Sequence, residues 1–260
     1  MRITEVERVE RVRVYGMPHS LVRVSSLPLC PGCQHGTVVG LISDVLDELG
    51  IRENTIGISG VTCVTMTAGG IQIDAVACCP HGRAPDVATG IKRALFGKPI
   101  VFTIQGDGDC ISIGAGSLIH AALRSEKITV IMANNTNYGT TGGQLAPTTL
   151  MNQITSTTPE GRNDSSGYPA HVPEMLAPIK GVAYAARGAL TNQANYQRTK
   201  RYIKTAFEKQ INNVGFSFVE ILTACPTNWH LIPLESLKWI EEQLIQEYPL
   251  GEFKNVDRIV

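Results

Sequence analysis

Residues Thr103–Ser117 read TIQGDGDCISIGAGS, and this stretch decides the fold. The apolar run IVFTIQ (100–105) has the composition of a buried strand, and CISIGAGSLIHAALRS (110–125) spaces its apolar residues as a helix does. Between them stand Gly106, Asp107, Gly108 and Asp109. Two glycines around a carboxylate end a strand badly and start a helix badly. At the carboxyl end of a strand in an open α/β sheet, however, they occupy the place where such sheets bind ligands. Gly106 and Gly108 allow close approach of the backbone to a bulky anion, and the start of the helix offers N–H groups to phosphate oxygens. Asp107 would repel phosphate unless a cation lay between them. Mg²⁺ meets that need, since it is bound by one or two carboxylates together with phosphate oxygens and water.

The next apolar run, ITVIMAN (128–134), ends in Asn134-Asn135. If the two strands are neighbours, Asn135 brings a neutral oxygen to the same edge and Asn137 can add its backbone carbonyl. GDG or NN alone is usually a surface turn or a cap; their pairing at two strand ends points to a site. A rival phosphate device, GAGSLI at Gly114, lies inside the predicted helix and reads as packing. No GxxxxGK[ST] motif occurs.

Working outward, strand and helix alternate. HGTVVGLISDVLDELG (35–50) is helical with Gly50 as its C-cap, NTIGISG (54–60) is β-rich, and APDVATGIKRALFG (84–97) is a helix with Pro85 in its first turn. A helix over 196–212, a strand over 215–222 and a last helix over 234–248 follow. This order predicts an α/β fold, a doubly wound and mostly parallel sheet. Thr136–Pro178 is rich in Thr, Gly, Asn and Pro and is too long for a plain connector, which marks it as a functional loop region. Nothing divides the chain, so a single domain over 1–260 is expected, with an extended N-terminal segment at about 1–28.

At 43% hydrophobic and 18% charged residues, the 260-residue chain has the composition of a folded protein with a sizeable core. Its formal net charge of zero favours neither nucleic acid nor an anionic membrane as a partner. No apolar run reaches the roughly 18–20 residues of a membrane span. MRITEVERVERVRVYG alternates charged and apolar residues instead of forming a signal peptide, so a cytoplasmic location is expected.

Seven cysteines in such a chain suggest thiols, metal ligands or catalysis rather than disulfides. CPGC, with Cys30 and Cys33, fits a redox motif, a zinc half-site or an iron–sulfur half-site. Cys78, Cys79 and Cys110 are read as small buried hydrophobes. His35, directly after the pair, is read as a helix-start residue and not as a ligand.

GDGD followed by NN is similar to the motif of thiamine diphosphate enzymes. More narrowly, the chain resembles the β subunit of 2-oxoacid:ferredoxin oxidoreductases. The matching passages are CPGCQHG (Cys30), GVTCV (Gly60), HGRAPDVATGIK (His81), GDGD, NNTNYGTTGGQLAPTT (Asn134) and FVEILTACPT (ending at Thr227). They run from about Cys30 to Thr227 in the family's order. Gln34 stands where the family commonly has glycine, with little effect expected, and CCPHGR is also a departure.

The resemblance implies a thiamine diphosphate-binding fold, with Asp107, Asn135 and Asn137 on Mg²⁺ and Cys30, Cys33, Cys63 and Cys225 on a 4Fe–4S cluster. It places Val61, Thr62, Cys63, Val64, His81, Gly106, Gly108, Asp109, Gly139 and Thr140 at the cofactor, with His81 also a candidate for proton handling. Thr141 and Gly142 continue the loop over the diphosphate. The implied activity is oxidative decarboxylation of a 2-oxoacid to acyl-CoA and CO2, with electrons passed to ferredoxin. The runner-up is a non-redox thiamine diphosphate decarboxylase or synthase subunit with structural zinc. Implied partners are an alpha subunit carrying the pyrimidine-binding domain, gamma and ferredoxin-like delta subunits, ferredoxin and coenzyme A. Branched-chain 2-oxoacids and 2-oxoglutarate are the favoured substrates.

Overall fold

In the computed structural model, residues 16–22 and 28–260 are described; 1–15 and 23–27, most of the expected N-terminal segment, lie outside the described residues. The strands are β1 (Thr55–Ser59), β2 (Asp74–Val76), β3 (Ile100–Gly106), β4 (Thr129–Asn134), β5 (Asn137–Tyr138), β6 (Gln144–Leu145), β7 (Val182–Ala189), β8 (Phe216–Leu222) and β9 (Gly251–Asn255). Seven of them form one sheet in the order β2-β1-β3-β4-β8-β7-β9, parallel except for β9 against β7. Every residue of β3, β4, β7 and β8 is buried. That burial explains their near-continuous apolar sequences: a parallel sheet covered on both faces leaves no polar side.

Helices α1 (His35–Leu49) and α5 (Gln193–Ile211) cover one face, packing Leu41, Leu46, Ile203 and Phe207 on Phe102, Ile131 and Val219. On the other face α2 (Ala84–Ala94), α3 (Ala115–Leu123) and α4 (Val172–Leu176) pack Ala88, Leu118 and Leu176 on Val101, Val130 and Phe218. The sheet is therefore doubly wound, as expected. Gly50 closes α1 at φ 63°, the left-handed cap its position predicted. Among the described residues no helix is long and apolar enough to cross a membrane.

Three features differ from the sequence reading. Strand β7 (VAYAARGA) was hidden by its alanines and a central arginine, both poor strand signals. The helix after GDGD begins instead as a wide π-turn, Gly108–Ile113, closed by the Gly114 N–H donating to Asp109 O at 3.0 Å, before α3 continues. The long loop region carries the β5–β6 ribbon and α4. Near the C-terminus, α6 (Pro226–Trp229) precedes α7 (Pro233–Trp239), which runs on through a π-turn, Ile240–Leu244, to Ile245–Glu247.

Arg187 explains itself once β7 is placed. Fully buried, it pairs with Glu174 at 2.7 Å through each of two nitrogens and with Glu220 at 2.6 Å. Its guanidinium lies over the rings of Tyr248 and Phe253. Asn134 Nδ2 completes Glu220 at 2.6 Å, so this ion-pair network ends one residue from the expected cation loop.

His35 opens α1 as expected but is buried, and neither ring nitrogen has a hydrogen-bond partner among the described residues. Burial pushes its pKa from 6.5 down to about 4. The unfolded chain therefore takes up a proton that the folded one refuses. This contribution to stability is full above pH 6.5 and is lost as pH falls toward 4, by about 3 kcal/mol at the limit. Thermal unfolding across that window should show the midpoint falling with pH, and His35→Leu should flatten the dependence; an unchanged slope would discard this account.

Candidate functional site

Strands β3 and β4 are parallel neighbours, with Gly106 paired to Ala133. Asp107 and Asn135 thus leave adjacent strand ends on the same edge of the sheet. Asp107 is almost fully buried, and burial pushes its carboxyl up to about pH 7 despite a hydrogen bond from the Thr148 hydroxyl and one from the Gly108 N–H. The Asn135 amide oxygen lies 3.2 Å from Asp107 Oδ1 and 2.7 Å from the Asn137 carbonyl oxygen. Three acceptors converge there without a proton between them. Two arrangements relieve both contacts at once: an amide turned to donate to both neighbours, or a cation held by all three oxygens.

These oxygens sit in the wall of a cavity of about 90 Å³. Val61, Thr62 and His81 line one side, Gly106–Asp109 the floor, and Tyr138–Thr141 the roof. The glycines are bare for a reason the sequence did not disclose. A Cβ on Gly106 would lie 2.6 Å from Thr62 Oγ1, and one on Gly108 would enter the Tyr138 ring, whose hydroxyl donates to Gly108 O at 3.1 Å. Floor and roof are locked together through Gly108.

Asp109 lines this cavity, but its carboxylate is already taken up. It accepts from the N–H groups of Val61 (3.1 Å) and Gly82 (2.8 Å), from Gln105 Nε2 (2.5 Å) and from His81 Nδ1. Asp109 thus orients His81 and leaves Nε2 as the ring nitrogen available to a ligand. Val64, expected at the cofactor, is buried in the core against α1 instead.

A second cavity, of about 160 Å³, is lined by Cys30, Cys33, Cys63 and Cys225. The four thiols arrive from three separate segments of backbone. Cys30 and Cys33 span a turn before α1, Cys63 opens a 3₁₀ turn after β1, and Cys225 follows β8. Burial pushes Cys33 up to about 12, with the other three thiols adding to the shift, and burial likewise raises Cys63 and Cys225. Such thiols ionise only against a cationic partner. Among the described residues, no three His, Cys, Asp or Glu side chains converge closely enough to hold one metal ion. The four thiols instead surround a space of roughly five times a water's share of liquid volume.

The two cavities touch. Gly139 and Thr140 line both, and Cys63 Sγ lies 3.1 Å from Thr140 Oγ1.

Gln34 corrects the sequence reading. Far from neutral, its buried side chain donates to Leu190 O at 2.9 Å and accepts from the Ala224 N–H at 2.9 Å. It fastens the CPGC turn to the segment carrying Cys225. Cys79 and Cys110 are buried as expected, whereas Cys78 is exposed. Thr148 and Asn228 were missed as site residues: Thr148 falls within the NNTNYGTTGGQLAPTT motif without a role of its own there, Asn228 sits in a short helix outside every motif, and only tertiary contact gives each a role.

Residues 59–221 match the family described as thiamine pyrophosphate enzyme, C-terminal TPP binding domain. The ketoisovalerate oxidoreductase subunit VorA of Methanothermobacter marburgensis is 40% identical over 232 residues, covering 87% of this chain and 47% of the relative. The chain thus spans about half the length of that relative. The 2-oxoglutarate synthase subunit KorB of Archaeoglobus fulgidus is 34% identical over 247 residues, covering 90% of this chain and 87% of that one. A solved 2-oxoglutarate:ferredoxin oxidoreductase from Magnetococcus marinus, with 2-oxoglutarate, coenzyme A and succinyl-CoA bound, shares the fold at a TM-score of 0.77 and 24% identity, over 97% of this chain and 89% of that one. The chain belongs to the thiamine pyrophosphate enzyme family, among the beta subunits of the 2-oxoacid:ferredoxin oxidoreductases.

Proposed function

We propose that this chain is the cofactor-bearing subunit of a hetero-oligomer that oxidatively decarboxylates a 2-oxoacid to acyl-CoA and CO2 and passes the electrons to ferredoxin. The observation that carries this reading is the pair of cavities sharing Gly139 and Thr140, one walled by converging oxygens and the other by four thiols. In it, Asp107 Oδ1, Asn135 Oδ1 and the Asn137 carbonyl hold Mg²⁺, and the backbone around Gly106, Gly108, Gly139 and Thr140 receives the diphosphate of thiamine diphosphate. Bound there, that cofactor supplies the electron sink for decarboxylation.

The chain's own residues bind, orient and exclude water. Asp109 holds His81 Nδ1 and so keeps Nε2 free to accept a proton at the cavity. Val61 and Thr62 close the side of the cavity between His81 and the thiols, and Tyr138 closes its roof. Cys30, Cys33, Cys63 and Cys225 hold a 4Fe–4S cluster, for which four thiolates are the usual ligand set. Four thiols also suit a structural zinc, the alternative that metal analysis separates from the cluster.

An alpha subunit with the pyrimidine-binding domain, together with gamma and delta subunits, completes the assembly in this reading, with ferredoxin as electron acceptor and the cytoplasm as its place. A branched-chain 2-oxoacid or 2-oxoglutarate is the substrate, in keeping with the named relatives.

Anaerobic purification of the assembled protein tests this directly. Brown protein with about four irons per copy of this chain is expected, together with 2-oxoacid- and coenzyme A-dependent dye reduction across a substrate panel. Cys225→Ser should lose most of that iron. Iron-free, colourless protein containing stoichiometric zinc would overturn the proposal.

A further inference from the structure

Asn228 lies in the first turn after Cys225, on α6. Its Nδ2 has three acceptors within reach: Gly139 O at 3.0 Å, Asn137 Oδ1 at 3.2 Å and Cys225 Sγ at 3.4 Å. An amide nitrogen carries two hydrogens, so three acceptors compete for two donors. The Gly139 carbonyl, nearest, takes one. The other is divided between a sulfur of the four-thiol cavity and a side chain of the loop whose backbone carbonyl faces Asp107 and Asn135. Asn137 in turn donates through Nδ2 to Asn135 O at 2.8 Å, so the division reaches both residues of that loop.

Resting on the function proposed above, we propose that Asn228 is a positioning residue that sets the reduction potential at the four-thiol site and ties it to the loop holding the cation. A donor aimed at a ligand sulfur favours the state in which that sulfur carries more negative charge, and hydrogen bonds to sulfur are one of the means by which proteins set such potentials. When one electron enters the site, no covalent bond forms or breaks and no proton is taken up. Asn228 answers by giving its second N–H to Cys225 Sγ and withdrawing it from Asn137 Oδ1. Among the described residues two further side-chain contacts reach these sulfurs, Thr140 Oγ1 at Cys63 Sγ and Asn137 Oδ1 at 3.9 Å from Cys225 Sγ; Thr140 does not join the two loops as Asn228 does, and the Asn137 oxygen has no proton to give a thiolate.

The test is a redox titration, followed by electron paramagnetic resonance, of the full chain assembled with its partner subunits and purified anaerobically. Asn228→Asp keeps the shape but replaces the donor with an acceptor. At a fixed applied potential its reduced-to-oxidised ratio should fall about tenfold, which for a one-electron couple is about 59 mV. Asn228→Ala, which removes the donor without adding charge, should shift the ratio in the same direction by less. An iron-replete variant with an unchanged midpoint would overturn the inference while leaving the proposed function standing. If neither variant retains iron, Asn228 serves assembly and not potential, and the inference likewise fails. Iron-free native protein is a failure of the function itself and is recognised before any variant is made.

Discussion

Asp107→Ala will leave the chain folded and will weaken its retention of thiamine diphosphate at fixed Mg²⁺ by more than about a hundredfold, beyond the 10- to 100-fold typical of losing a residue that merely supports a metal ligand. The carboxylate is one of three oxygens converging on one point, and it alone can carry a full negative charge there. Without it, an amide and a carbonyl face the diphosphate with too little charge to hold a strongly hydrated dication. The fold survives because β3 is held by its ladders to β1 and β4 and by its buried side chains, none of which involves Asp107. Burial raises this carboxyl's pKa, so its ionised form opposes folding at neutral pH, and the variant should melt no lower than the native chain. Trp229 offers the readout, since its indole N–H donates to Asn135 O at 3.2 Å and its fluorescence should respond to cofactor binding at the loop. Native-like affinity in the variant, with an undiminished Mg²⁺ requirement, would remove Asp107 from the site.

Arg187→Met will cost about 3–5 kcal/mol of stability, the usual penalty for removing one partner of a buried ion pair. Glu220 is fully buried and, among the described residues, keeps only the Asn134 amide, while Glu174 loses both of its arginine contacts. Adding Glu220→Gln to Arg187→Met should recover part of the loss, because the orphaned charge is then gone. The pair also has a pH signature. Partial burial would raise the Glu174 carboxyl, but hydrogen bonds from Arg187 outweigh it and hold the pKa below the ordinary 4.5. Its contribution is therefore full above 4.5 and disappears as pH falls through the lower folded value, and Arg187→Met should abolish that acid limb. Urea unfolding at several pH values measures both effects; a variant within about 1 kcal/mol of the native chain would show the network to be dispensable.

The framework was legible where side-chain chemistry repeats along the chain. Continuous apolar runs gave β3, β4 and β8, and Gly50 gave the end of α1. The approach of Asp107 to Asn135 was legible too, because parallel neighbours bring their carboxyl ends to one edge. Strand β7 was not, since Ala183, Ala185, Ala186 and Arg187 carry no strand signal until the carboxylates around Arg187 are in place. Nor were Thr148, Gln34 and Asn228, which act through partners 41, 156 and 190, or 89 and 91 residues away in the chain. Asp109 had the right address but a different use: the sequence placed it beside Asp107, and only the fold turns it toward His81.

Gly139 and Thr140 form the partition between the oxygen-lined and sulfur-lined cavities. Loops ordinarily absorb insertions with little harm, but a peptide that serves two rooms cannot be lengthened for the benefit of one. Any engineering that widens the oxygen-lined chamber here also moves the sulfur-lined one, so under the proposed function substrate range and redox behaviour would be inherited together.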